Sequence, residues 1–91
     1  LENIQLVLSK NLKLHRASLG LNQTELANAV GVNIQSYNRW ENGLAWPSPE
    51  SIEALANYFK IPSSELFYDP ENTMSLKRAA DLLAQHFSSE S

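Results

Sequence analysis

The sequence predicts an all-α fold: five helices forming one domain, with an additional C-terminal helix behind them. Three observations predict it. Helix N-cap signatures recur, at Asn22 with Glu25 three residues on, at Asn33, and at Ser48 followed by Pro49. Between the caps, apolar residues return at steps of three and four, the period of a helix with one buried face. Helix stops stand where those runs end, at Gly31 and at Ile61-Pro62.

The first helix is expected from about Ile4 to Ser18, with Ile4, Leu8, Leu12 and either His15 or Leu19 along its apolar side. The next stretch, 22–43, organises the rest. Asn22 and Glu25 cap the second helix, in which Leu26, Ala27, Ala29 and Val30 follow at helical spacing. Gly31 ends it, because a residue without Cβ enters the left-handed conformation at least cost, and Val32 plugs the turn from below. Asn33 caps the third helix. There Tyr37 and Trp40 stand three apart on an inner face, while Ile34, Gln35, Asn38, Arg39 and Asn42 take the outer one.

Ser48, Pro49 and Glu50 open a fourth helix whose stripe is Ile52, Leu55, Ala56 and Phe59, with Lys60 at its end. After the break at Ile61-Pro62, Ser63–Phe67 makes a short fifth helix that turns Leu66 and Phe67 inward. Tyr68 to Asn72 is a connection, and Thr73 or Ser75 begins the C-terminal helix, with Leu76, Ala79, Ala80, Leu83 and Phe87 along one side. An isolated helix of that length is marginal in water, so this stripe needs a partner surface, in its own domain or in a second copy of the chain. The expected organisation is a domain over 1–68 and a linker with the C-terminal helix over 69–91.

Two short helices joined by a three- to four-residue glycine turn form a helix-turn-helix, whose second helix lies in the major groove of DNA. A polar stripe by itself is most often only a solvated face. This one carries base-reading chemistry: Gln and Asn pair with adenine, Arg pairs with guanine, and an apolar side chain rests on the thymine methyl.

Residues 12 to 67 resemble the lambdoid phage repressor and Cro superfamily, the XRE-type helix-turn-helix domains. The motifs that carry the resemblance are LGLNQTELA at 19–27, the GV that follows, QSYNRWENG at 35–43 and PSPESIEALANYFKIPSSELF from Pro47 onward. The resemblance implies a five-helix lambda-repressor-like domain. It implies base contacts from Gln35, Asn38 and Arg39, with Ile34 against a thymine methyl and Asn33 at a base or a phosphate. Gln23 and Asn42 are placed by it to donate to phosphates. It pairs Arg16 with Glu41 as an internal ion pair between the first helix and the end of the third. Lys13, His15 and Arg16 complete the candidate phosphate set, His15 having a partly exposed helix histidine as its alternative. Two positions depart from the family pattern. Ile34 stands where a polar residue is common, and Leu44, Ala45 and Trp46 stand where basic residues usually follow the glycine.

Leu44 and Trp46 are therefore candidate dimer-interface residues, together with Leu76, Ala80, Leu83 and Phe87; the alternative for Trp46 is that it folds back on the domain. Net charge is −3. Its distribution is uneven: Lys10, Lys13, Arg16 and Arg39 face only Glu25 and Glu41 between residues 10 and 46, whereas acidic residues dominate from Pro47 onward. A mildly basic face and an acidic back fit a DNA binder that gains modest affinity from phosphates and needs a second copy on operator half-sites.

The 91 residues include no cysteine, which excludes disulfides and Cys-based zinc sites, and a single histidine on the first helix supports no metal site. No apolar run approaches the ~18 residues of a membrane span, and no signal peptide is visible, so a cytoplasmic protein is expected. No glycine-rich phosphate loop, HExxH pattern or cysteine nucleophile is present. An enzyme is not expected, nor a cofactor or small-molecule ligand. The expected function is a sequence-specific DNA-binding transcriptional regulator, a repressor acting as a homodimer on double-stranded DNA. The alternative is a helix-turn-helix fold used as a protein-interaction module in a regulatory or antitoxin complex.

Overall fold

The computed structural model describes residues 3–69 together with 84 and 85. Four α-helices, α1 (Ile4–Ser18), α2 (Gln23–Val30), α3 (Ile34–Glu41) and α4 (Pro49–Phe59), are followed by a 3₁₀ helix at Ser63–Phe67. The all-α class holds. The short fifth helix expected at Ser63–Phe67 is there and is 3₁₀, the form favoured in short pieces such as this five-residue segment. The C-terminal stripe of Leu76, Ala80, Leu83 and Phe87 lies outside the described residues; Ala84 and Gln85 are helical and exposed.

Side-chain caps set the helix starts. Asn3 accepts from the amides of Gln5 and Leu6, and Asn22 and Glu25 form a reciprocal capping box. Asn33 accepts from Gln35 and Ser36, and Ser48 from Ser51 with Pro49 behind it. Each cap supplies acceptors for backbone N–H groups that have no partner inside the helix. Gly31 closes α2 in the left-handed conformation (φ 74°, ψ 34°), and the Val32 N–H bonds back to the Ala27 carbonyl at 2.9 Å. That turn delivers the chain to Asn33 and so fixes where α3 begins.

The core consists of Leu8, Leu12, Leu26, Ala27, Tyr37, Trp40, Leu55, Ala56 and Leu66. Every helix contributes, and α3 is held from behind by α1 and α2. Burying each leucine side chain contributes about 1.5–3 kcal/mol. The first helix differs from expectation at its ends. Ile4 and Leu19 are exposed, and the buried face runs instead through Leu8, Ser9, Asn11 and Leu12. Ala29 is exposed as well, so α2 anchors through Leu26 and Ala27, with Val30 half-buried.

The two buried polar residues of α1 act as ties. The Ser9 hydroxyl donates to the carbonyl of Trp40. Asn11 Nδ2 donates to the carbonyls of Leu66 and Tyr68, both at 2.8 Å, and clamps the chain as it leaves the 3₁₀ helix.

Candidate nucleic-acid interface

The inner face of α3 is fixed by apolar packing and by one buried acidic group. Tyr37 and Trp40 meet edge to face at 5.9 Å between ring centroids. Glu41, 1% exposed, receives Arg16 Nε at 2.7 Å and Arg16 Nη2 at 3.0 Å, a bidentate pair across α1 and α3. The Tyr37 hydroxyl and Gln23 Nε2 donate to the same carboxylate. Four hydrogen bonds from three helices therefore converge on a single side chain.

The titration behaviour follows from that geometry. Burial pushes the Glu41 carboxyl up, but the hydrogen bonds from Arg16, Tyr37 and Gln23 outweigh it and hold the group below the ordinary carboxylate range. Burial, followed by the bond to Glu41, pushes the Tyr37 phenol above its usual value. The hydrogen bond to Glu41 raises Arg16. The cluster is thus an ionised pair with a neutral phenol beside it.

On the outer face, Ile34, Gln35, Asn38, Arg39 and Asn42 are exposed, and Ser36 stands among them. Asn33 is exposed too, but its Oδ1 is occupied as the cap of α3. Gln23, at the start of α2, is joined to this face because Asn38 Nδ2 donates to Gln23 Oε1 at 2.9 Å. Asn42 Nδ2 donates to the Asn38 backbone carbonyl at 2.8 Å and to Asn38 Oδ1 at 3.2 Å. Gln23, Asn38 and Asn42, taken in sequence as separate contacts, form one hydrogen-bonded row.

Two of the expected phosphate contacts, Arg16 and His15, face elsewhere in the structure. Arg16 directs Nε and Nη2 to Glu41 and Nη1 to the Leu21 carbonyl at 2.8 Å, so its guanidinium faces inward and it leaves the phosphate set. The His15 ring stacks on Phe59 at 5.2 Å and lines a groove with Asn11, Leu14, Glu65 and Tyr68. An acidic neighbour and an aromatic stack suit a half-buried helix histidine rather than a phosphate ligand. Asn42 is exposed, with its Nδ2 turned to Asn38. Lys13 remains exposed on α1.

Leu44 is 67% and Trp46 53% exposed, so Trp46 does not fold back onto the domain; Ala45 and Pro47 turn inward between and after them. Among the described residues there is no group of His, Cys, Asp or Glu able to hold a metal ion, and no helix long and apolar enough to cross a membrane.

Sequence reasoning missed the Tyr37 hydroxyl and the inward role of Gln23. The spacing held a signal for the first, since Tyr37 and Glu41 are four apart on one helix face. Asn11 also carried one, as an amide set between Leu8 and Leu12 on the buried side.

A helix-turn-helix family model matches residues 12–66. The chain belongs to this family, in its XRE-type, phage-repressor-like branch. It is 37% identical over 62 residues to the cryptic phage CTXphi transcriptional repressor RstR of Vibrio cholerae, a match covering 68% of this chain. The chain spans 56% of the length of that relative. Among solved structures it is similar to the SOS-response transcriptional repressor LexA from Eubacterium rectale, with a TM-score of 0.71 and 35% identity over 76% of this chain and 73% of the other. The hypothetical transcription factor NHTF from Neisseria has the same fold, with a TM-score of 0.74 and 24% identity over 81% of this chain and 85% of that one.

Proposed function

We propose that the chain is a sequence-specific DNA-binding transcriptional repressor of the cytoplasm that inserts α3 into the major groove and binds operator half-sites as a homodimer. One observation carries this reading: α3 is held rigidly from behind by Tyr37, Trp40 and Glu41 while Ile34, Gln35, Asn38 and Arg39 stand exposed on its front. Gln35 and Arg39 supply hydrogen-bonding groups for base edges, and Ile34 supplies an apolar surface for a thymine methyl. RstR and LexA, both named as transcriptional repressors, support the repressor reading. The shortage of basic residues beside α3 favours two-fold assembly, because one copy with few phosphate contacts binds weakly. Leu44 and Trp46 are the exposed apolar groups we assign to that assembly, with the stripe of Leu76, Ala80, Leu83 and Phe87 assigned from sequence alone.

Selection of bound sites from a random DNA pool tests the reading, since it reports binding, base preference and half-site symmetry together. Enrichment of a two-fold symmetric site is expected. A second reading, a protein-interaction module in a regulatory or antitoxin complex, draws on the exposure of Leu44 and Trp46. Absence of DNA binding even at low salt would favour it over the first.

A further inference from the structure

The hydrogen bonds on the α2–α3 face all run in one direction, and the buried carboxylate forces that direction. Ionised Glu41 can only accept. Gln23 must therefore turn Nε2 toward it, at 2.9 Å, which leaves Gln23 Oε1 facing α3. Asn38 meets that oxygen with Nδ2 at 2.9 Å, so its own Oδ1 is turned the other way, where it accepts from Asn42 Nδ2 at 3.2 Å. Flipping Gln23 would set an amide oxygen against the carboxylate and an NH2 against an NH2. Flipping Asn38 alone would set two amide oxygens together. Neither arrangement is a hydrogen bond, and bonds aligned in a row reinforce one another.

We infer that Gln23 is a specificity-determining positioning residue: backed by Glu41, it fixes the Asn38 amide so that Oδ1 is the group offered to a base edge. The position Asn38 faces then takes a base with an exocyclic amino group in the major groove, adenine or cytosine. Guanine and thymine present oxygen there, acceptor against acceptor. Asn38 Oδ1 has a second lone pair beyond the one used by Asn42, so a base amino group can be added without breaking the row. Asn38 Nδ2 likewise keeps a second hydrogen beyond the one given to Gln23, so where the base is adenine it can also donate to N7 beside the Oδ1 contact. This inference rests on the insertion of α3 into the major groove.

Pool selection with the wild type, Asn38→Ala and Gln23→Met tests it. Asn38→Ala identifies the position by erasing its preference. There the wild type is expected to favour adenine or cytosine about tenfold or more, the usual scale for one mismatched pair, and Gln23→Met to reduce this to within about twofold. Preferences at the other positions should persist. A Gln23 that matters only for the fold would weaken every site alike and leave the preference intact, which overturns the inference. So would a wild-type preference for guanine or thymine at that position, or an Asn38→Ala profile identical to the wild type. Should Gln23→Met lose its helical signal, Gln23→Ala is read by the same criteria. Wild-type protein that enriches no sequence overturns the DNA-binding reading itself and the inference with it, an outcome distinct from an enriched site indifferent to Gln23.

Discussion

Arg16 and Glu41 stand 25 positions apart in the chain and meet through two hydrogen bonds, at 2.7 and 3.0 Å, with the carboxylate 1% and the arginine side chain 20% exposed. A bidentate pair at that depth behaves differently from a surface ion pair, because removal of one partner strands the other in a poorly solvated site. Arg16→Ala is expected to destabilise the domain by about 3 kcal/mol. In a double-mutant cycle with Glu41→Ala, denaturant melts should give a coupling well above the ~0.5 kcal/mol scatter of independent sites. Additive losses would place the pair's contribution elsewhere.

Acid should unfold the protein through the same carboxylate. Glu41 is held below its ordinary range when folded, so its contribution is fully present above the unfolded value near about 4.3 and is lost as pH falls through the folded one. The expected result is a plateau of stability at neutral pH and a decline below about pH 4, followed by urea melts at stepped pH. Glu41→Gln should flatten that decline.

Tyr37→Phe removes a donor from the ionised form of Glu41 without altering the ring in the core. A loss of about 1–2 kcal/mol is expected at neutral pH. With that donor gone the Glu41 carboxyl titrates higher, so the acid limb moves to higher pH. The alkaline limb responds in the opposite sense. A phenol raised on folding contributes stability that is lost as pH climbs above its unfolded value near about 10, and the Phe variant should lack that loss.

Arg39→Ala tests the outer face of α3. Relaxed preference at one base pair, by about 1–3 kcal/mol, is the expected result and marks Arg39 as a base reader. Equal weakening on all sequences, with a shallower salt dependence, would mark it as a phosphate contact instead.

Lys60 closes α4 in the left-handed region at φ 61°, the only such non-glycine among the described residues. A Cβ in that conformation is strained, and glycine is the residue that ends helices there without strain. Lys60→Gly should raise stability by about 0.5–1 kcal/mol, the backbone relief being partly offset by greater freedom of the unfolded chain. Gly31→Ala, at φ 74°, should move the thermal midpoint the other way.

The sequence makes the helices legible because their starts and stops are local chemistry. Asn22, Asn33 and Ser48 cap where they are expected to and Gly31 ends α2, while α4 is closed by Lys60, just ahead of the Ile61-Pro62 break. Which apolar residue is buried was less readable. Ile4 and Leu19 fit the stripe of α1 by period, but they lie at its two ends, beyond the reach of the helices that cover Leu8 and Leu12. Long-range polar ties were the least readable. That Gln23 turns toward Glu41, or that Asn11 reaches carbonyls more than fifty residues away, depends on how helices cross, and no spacing within one helix encodes it. The resemblance supplied Arg16 with Glu41; it could not supply the hydroxyl of Tyr37.

The clamp at Asn11 bears on how the 3₁₀ helix and α3 are coupled. Its amide fixes the backbone at Leu66 and Tyr68 against the middle of α1, one residue short of Asp69. The end of the 3₁₀ segment is thereby held to α1, and α1 is itself bolted to the end of α3 through Arg16. The backbone at Leu66 and Tyr68 is consequently tied, through α1, to the pose of α3. A push on Leu66 or Tyr68 is therefore felt at the end of the third helix, some 25 residues back along the chain, without passing through the fourth.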